Sequence, residues 1–287
     1  MISKPTIAMI TVVMAATVSV GQAAEGGAPA WPWAEYGIAQ TTNPAGIPTQ
    51  RTDWALNYHQ GMLELADKES IRVLFLGDSM MNDIWKSRSL VYAERVKAGG
   101  NPVWQTYYAP LPAANFGVSG DETGHLLWRL TAGGNLTGLK PRVVVLLIGI
   151  NNLIRGQSPE QTAAGIGAIV GYLKTRLPET KTLLLGVFPC WQPASNPIRA
   201  KITATNSRIR SLHDGKQVFF LDLGDRFVEA DGSILKEKLQ DTLHPSEKGY
   251  AIWAEAMQPY LEDLLKNGGV GAIWKPAAAS PAGPQKP

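Results

Sequence analysis

Apolar residues in this chain cluster into short, nearly unbroken runs separated by longer stretches of mixed polarity. Ile71–Leu76, Arg142–Ile148 (RVVVLLI), Thr182–Val187 (TLLLGV) and Val218–Leu221 (VFFL) are such runs, with a shorter one at Ala114–Val118. A run of that length, apolar at successive positions, predicts a strand buried on both faces, as in the centre of a parallel sheet. Between the runs, helical patterns fall at Asp53–Ala66, Ile84–Lys97, Gly124–Leu130, Pro159–Leu177, Asn196–Leu212 and Glu247–Leu265. Strands alternating with helices predict an α/β fold: a parallel sheet joined by right-handed crossovers, with helices on both faces. No internal repeat and no second core-sized segment is visible, so one domain is expected over residues 53–266.

The termini read differently. Lys4 precedes an uncharged apolar run, Ile7–Val20, and small residues follow at Gly21-Gln22-Ala23. That run is shorter than the ~17–25 residues a membrane span needs, so residues 1–23 are expected to be a cleaved signal peptide, with a periplasmic or secreted product and no stable membrane insertion. Residues 24–52, rich in Gly, Pro and Thr, predict an irregular arm. Residues 267–287 end in Ala, Pro, Ser, Gly, Gln and Lys without periodicity, which predicts a disordered tail.

Charge narrows the field. The 27 basic and 24 acidic residues are interspersed and leave a formal charge of +3. Without a basic stripe, nucleic acid is not an expected partner. The single cysteine, Cys190, rules out an intramolecular disulfide, and no His, Cys or carboxylate cluster has metal-ligand spacing, so neither a metal nor a cofactor is expected.

In sheets of this kind ligands bind beyond the carboxyl ends of the strands. Three polar, glycine-containing segments follow predicted strands: Gly77-Asp78-Ser79, Ser119-Gly120-Asp121 and Gly149-Ile150-Asn151-Asn152. A serine hydroxyl needs a neighbouring base to become a nucleophile, and the base needs an acid to set its tautomer. Of four histidines, His59 and His213 fall in helices away from that rim, and His125 begins a helix as a weaker rival. His244 lies three residues after Asp241 in Asp241-Thr242-Leu243-His244-Pro245, an offset that lets both side chains share one side of a turn. The expected triad is therefore Ser79, His244 and Asp241. The backbone N–H groups of Ser79 and Gly120 and the carboxamide of Asn151 are candidate donors to an oxyanion. Asp78 is expected to order the nucleophile loop, and Trp191, after the fourth run, to line the pocket.

The GDS of residues 77–79, NFGVSGD of 115–121, GINN of 149–152 and DTLHP of 241–245 resemble, in order, the four blocks of the SGNH (GDSL-type) hydrolases. Within that class LLWRL at 126–130 and KPRVVVLLIGINN at 140–152 are most similar to platelet-activating-factor acetylhydrolase catalytic subunits and related bacterial secreted acetylesterases. The resemblance spans about Ile71 to Leu265. It implies a three-layer α/β/α flavodoxin-like sandwich with a five-stranded parallel sheet of order 2-1-3-4-5. It also implies Ser79 as nucleophile, Gly120 and Asn151 as oxyanion donors, and His244 as a base oriented by Asp241. Two positions depart from the commoner pattern: Met80 stands where the class name has leucine, and Asn152 where Asp is usual, which leaves open the hydrogen bonds an aspartate would make.

The expected activity is hydrolysis of small acyl esters, acetyl above all, with an oligosaccharide or other small-molecule ester as substrate. A lysophospholipase, thioesterase or acyltransferase would share the same residues. A non-catalytic carbohydrate-binding protein on the same fold, or a metallophosphoesterase, would require a missing triad member or a metal site. Oligomeric state, acyl preference and leaving group leave no mark in these residues.

Overall fold

The computed structural model describes residues 38–65, 68–84, 88–89, 97–271 and 273–274. The predicted leader and the tail beyond Trp274 lie outside them.

All five apolar runs form strands: β1 (Val73–Gly77), β2 (Ala113–Gly117), β3 (Val143–Leu147), β4 (Lys181–Leu185) and β5 (Val218–Leu221). They pair in parallel in the order β2-β1-β3-β4-β5. Every residue of β1 and β3 is buried, so both faces of the central strands must be apolar. Successive side chains alternate between two packed layers. Val73, Phe75, Val143 and Val145 enter one core with Met80, Met81, Tyr250, Trp253 and Met257. Leu74, Leu76, Val144 and Leu146 enter the other with Leu126, Leu127, Ile166 and Ile169.

The helices are α1 (Ala55–Leu63), α2 (Ser79–Ile84), α3 (Asn101–Tyr107), α4 (Thr123–Leu130), α5 (Ile150–Ile154), α6 (Pro159–Arg176), α7 (Pro197–Ile209) and α8 (Glu247–Asn267). α2, α3 and α8 cover one face of the sheet; α4 and α6 cover the other. Local signals explain where the long helices start. Ser158 accepts from the Gln161 N–H and the Gln161 side chain accepts from the Ser158 N–H, with Pro159 opening α6. Asn196 accepts from the Ile198 N–H with Pro197 opening α7, and Ser246 accepts from the Gly249 N–H to cap α8. Gly268, at φ 67°, ends α8.

Three features depart from expectation. The helix predicted over Ile84–Lys97 is not formed as such. Helix α2 ends at Ile84, and Arg88–Ser89 pairs antiparallel with Lys97–Ala98, while 85–87 and 90–96 lie outside the described residues. Helix α3, α5 and the short α2 were not predicted, being too short to show a period. At the C-terminus the packed chain runs on past residue 267. Trp274 packs tilted against Phe219 and edge-on to Tyr260, and its Nε1 donates to Asp263 Oδ2 at 2.7 Å.

The described part of the arm, from Ile38, is anchored. Thr49 N–H donates to Gly124 O at 3.0 Å, Thr123 Oγ1 to Ala45 O at 2.7 Å, and Asn43 Nδ2 to Gln161 O at 2.9 Å. These bonds strap it across the starts of α4 and α6.

Candidate active site

Strand β1 ends at Gly77, and Ser79 is the first residue of α2. Its backbone N–H is thus one of the amides at a helix start that have no acceptor within the helix. The loop below it is closed by Asp78, whose Oδ1 accepts from the Met80 N–H at 3.1 Å. Tyr250, reaching over from α8, donates its hydroxyl to Met80 O at 2.8 Å and ties the two helices together.

The Asp241–His244 turn sits just before α8. Ser79 Oγ lies 2.9 Å from His244 Nε2, and His244 Nδ1 lies 2.8 Å from Asp241 Oδ2. The other carboxylate oxygen of Asp241 accepts from the backbone N–H groups of His244 at 2.7 Å and Leu243 at 3.1 Å. Asp241 therefore holds its own turn as well as the imidazole. Thr242 takes φ 64° to make that tight turn. Its carbonyl accepts from the Trp191 N–H at 2.8 Å, and Trp191 is itself at φ 62°. Trp191 is half-buried after β4, at the rim where the sequence places it, and fastens the neighbouring loop to the Asp241–His244 turn.

Gly120 and Asn151 arrive from the ends of β2 and β3. Gly120 sits at φ 80°, a conformation that costs a side-chain-bearing residue strain. Asn151 Nδ2 donates to Asp121 O at 3.0 Å. A carboxamide nitrogen carries two hydrogens, so that bond leaves the second one directed by it. Beneath this loop Asp121 is fully buried between two guanidinium groups. Arg129 Nε and Nη2 donate to its Oδ2 at 2.9 and 2.8 Å, and Arg51 Nη1 to its Oδ1 at 3.1 Å.

Asn152 settles the departure from the commoner third block. Its Oδ1 accepts from the Thr123 N–H at 3.0 Å, while its Nδ2 donates to Thr123 Oγ1 at 2.8 Å and Gln157 Oε1 at 2.9 Å. A carboxylate has no hydrogens for the last two. His125, the rival base, is used locally: its Nδ1 accepts from the Glu122 N–H at 3.0 Å in the cap of α4, and burial lowers its affinity for a proton. His59 is buried against Asn135 and Trp128, and His213 Nδ1 accepts from the Phe220 N–H.

Burial pushes the Asp78 carboxyl up to about 7, and its Oδ2 has no hydrogen-bond partner. Cys190 is buried too, and desolvation pushes its thiol up to about 12, so it is no nucleophile at neutral pH. Among the described residues no group of three or more His, Cys, Asp or Glu side chains is placed to hold a metal ion. No described helix is long and apolar enough to cross a membrane. Chemically, the arrangement can relay a proton from Ser79 Oγ to His244, whose other ring nitrogen is held by Asp241, and the segments carrying Gly120 and Asn151 follow the two strands that flank β1. Arg51 and Arg155, which reach the Gly120 loop, were not singled out from the sequence. Arg51 lies 68 positions from the carbonyl it contacts, and no motif marks it.

A model of the GDSL-like lipase/acylhydrolase family matches residues 75–252. The alpha2 subunit of platelet-activating factor acetylhydrolase IB from Rattus norvegicus is 34% identical over 232 residues, which is 78% of this chain and 93% of the relative. Among solved structures, a GDSL-like lipase of Bacteroides thetaiotaomicron superposes with a TM-score of 0.56 at 19% identity, covering 72% of this chain and 97% of that one. An acetylxylan esterase of Geobacillus stearothermophilus superposes with a TM-score of 0.52 at 20% identity, covering 68% and 95%.

Proposed function

The chain belongs to the GDSL-like lipase/acylhydrolase family and is an ester hydrolase; from that premise we propose that it removes small acyl groups, acetyl foremost, through an acyl-serine intermediate on Ser79. The observation that carries the residue assignment is the unbroken relay from Ser79 Oγ through His244 to Asp241, at 2.9 and 2.8 Å.

Ser79 Oγ attacks the ester carbonyl carbon as His244 Nε2 takes its proton. The carbonyl π electrons move onto oxygen, and the resulting oxyanion is met by the N–H groups of Ser79 and Gly120 and the carboxamide of Asn151. Collapse breaks the bond to the leaving oxygen, which takes the proton from His244 and departs as an alcohol. A water molecule, deprotonated by the same imidazole, then attacks the acyl-serine, and the second collapse returns the proton to Ser79 and releases the acid. Asp241 stabilises the imidazolium at both stages without itself taking a proton.

The acetyl preference is supported by the curated relatives, whose name specifies an acetylhydrolase. For the leaving group we favour a carbohydrate, because the Lys4–Val20 segment reads as an export signal and would deliver the enzyme to polysaccharide. The relatives' name, which specifies platelet-activating factor, favours that ester as the second reading.

Ser79→Ala is expected to abolish turnover of p-nitrophenyl acetate and labelling by a fluorophosphonate, with an unchanged far-UV spectrum. Labelling at another residue, or surviving turnover, rejects the nucleophile. A series of p-nitrophenyl esters from acetate to palmitate is expected to show kcat/KM falling with chain length. Release of acetate from acetylated xylo-oligosaccharide or from platelet-activating factor then separates the two leaving groups.

A further inference from the structure

The loop that carries Gly120 is held from outside by charged side chains. Arg51 Nη1 donates to Ser119 O at 2.6 Å, and Arg155 Nη1 donates to Gly120 O at 3.0 Å. With Asn151 on Asp121 O, three consecutive carbonyls are each gripped by a different side chain. The grip on Ser119 differs from the others. The Ser119 carbonyl and the Gly120 N–H belong to one planar trans peptide unit, so they point in opposite directions and cannot turn independently. Fixing the oxygen fixes the aim of the hydrogen.

We infer that Arg51, a residue of the N-terminal arm, is a positioning residue for the oxyanion hole, acting through the Ser119–Gly120 peptide to aim and strengthen the Gly120 N–H. The inference rests on Gly120 serving as an oxyanion donor, as proposed above. Glycine at this position leaves the peptide without a side chain of its own to restrain it. A guanidinium on the carbonyl supplies the restraint, and a charge-assisted bond polarises the peptide so that its N–H donates more strongly.

Arg51 is well placed to hold still. Its side chain is only 15% exposed. It is pinned by Asp121 at 3.1 Å and by Asp53 at 2.6 Å, and Asp121 is pinned in turn by Arg129 at 2.8 Å. The arm that carries it is strapped to the body two residues earlier, by the Thr49 N–H to Gly124 O bond. If Arg51 served only to dock the arm, removing it would lower stability and leave the chemistry of the folded enzyme alone.

The test uses the full chain with Arg51→Met and Arg51→Lys, assayed on p-nitrophenyl acetate and with an alkyl trifluoromethyl ketone, whose serine adduct carries a tetrahedral oxyanion. The expected result for Arg51→Met is a kcat lower by about 10- to 100-fold, less than or near the loss of a whole oxyanion donor, with KM within about 2-fold. Affinity for the trifluoromethyl ketone should fall by the same factor, and Arg51→Lys, which keeps a charged donor, should recover most of both. A folded Arg51→Met whose kcat or ketone affinity is unchanged overturns the inference, as does a change confined to KM. If Arg51→Met does not fold, Arg51→Gln carries the same comparison with a neutral donor. Fluorophosphonate labelling of Ser79 in the parent separates the two failures. Labelled Ser79 with indifferent Arg51 variants refutes this inference alone, whereas absent labelling refutes the acyl-serine reading beneath it.

Discussion

At Asp78 a single carboxyl carries two opposing demands. Its Oδ1 holds the Ser79 loop through the Met80 N–H, yet the group is fully buried and its Oδ2 lacks a partner. Burial raises its proton affinity to about 7, against an ordinary value of 3.8; the Met80 N–H bond and the charge of His244 work the other way, and Asp121 and Asp83 add to the rise. Between those two values the folded protein keeps a proton that the unfolded chain has lost. Stability contributed by the protonated group is therefore full below the lower value and is lost as pH rises towards the higher one. Asp78→Asn keeps the acceptor for Met80 and removes the titration. The variant's Tm is expected to gain on the parent's by about 7–15 °C between roughly pH 4 and pH 7.5. Thermal melts across that range check it, and a Tm difference that stays flat with pH would refute the assignment. Asn152 makes the complementary point: its two donated bonds explain why an amide, not an acid, suits this position.

Among the elements, the arm is where close approach matters most. A Cβ on Gly165 of α6 would stand 2.5 Å from Ala45 O and 2.6 Å from Thr123 Oγ1. Backbone on one side and a hydrogen-bonded threonine on the other leave little room to yield. Gly165→Ala is expected to destabilise by about 1–3 kcal/mol despite alanine's better helix propensity, because overpacking outweighs a gain of about 1 kcal/mol. It should also speed proteolysis within residues 38–52 and lower kcat, since the displaced arm carries Arg51. Urea denaturation, limited proteolysis and the turnover of p-nitrophenyl acetate read the three effects; a more stable variant would mean the arm yields freely. The stretch predicted as a helix over Ile84–Lys97 shows the limits of local pattern. Ile84 belongs to α2 and is buried against Tyr250 and its neighbours, whereas Arg88–Ser89 and Lys97–Ala98 pair across a sequence gap that no periodicity reveals.

For the molecule as a whole, stability lies in two cores divided by one sheet, and the site lies where five strands end. Leu146 in β3 is completely buried in the core shared with α4 and α6. Leu146→Ala is expected to cost about 2–5 kcal/mol, read as a lower urea midpoint, through lost burial plus an unfilled cavity. Because Leu146 faces the layer opposite α2 and α8, activity per folded molecule should be little changed; a collapse of kcat at full folding would show the two layers to be tightly coupled.

The sequence by itself determined the sheet and marked the residues for which the serine chemistry is proposed. Unbroken apolar runs have no stable place except between two helical layers, and Ser79, His244, Asp241, Gly120 and Asn151 fall in short polar segments adjoining those runs. The strand order followed from the resemblance carried by the same four blocks. Only the tertiary structure decided the support around the site. The grip of Arg51 on Ser119, of Arg155 on Gly120 and of Trp191 on Thr242 joins residues far apart in the chain, or through backbone atoms that every residue possesses. Side-chain type leaves a trace in sequence, but which carbonyl a guanidinium reaches depends on how segments pack, and that is settled only when the arm closes over α4 and α6.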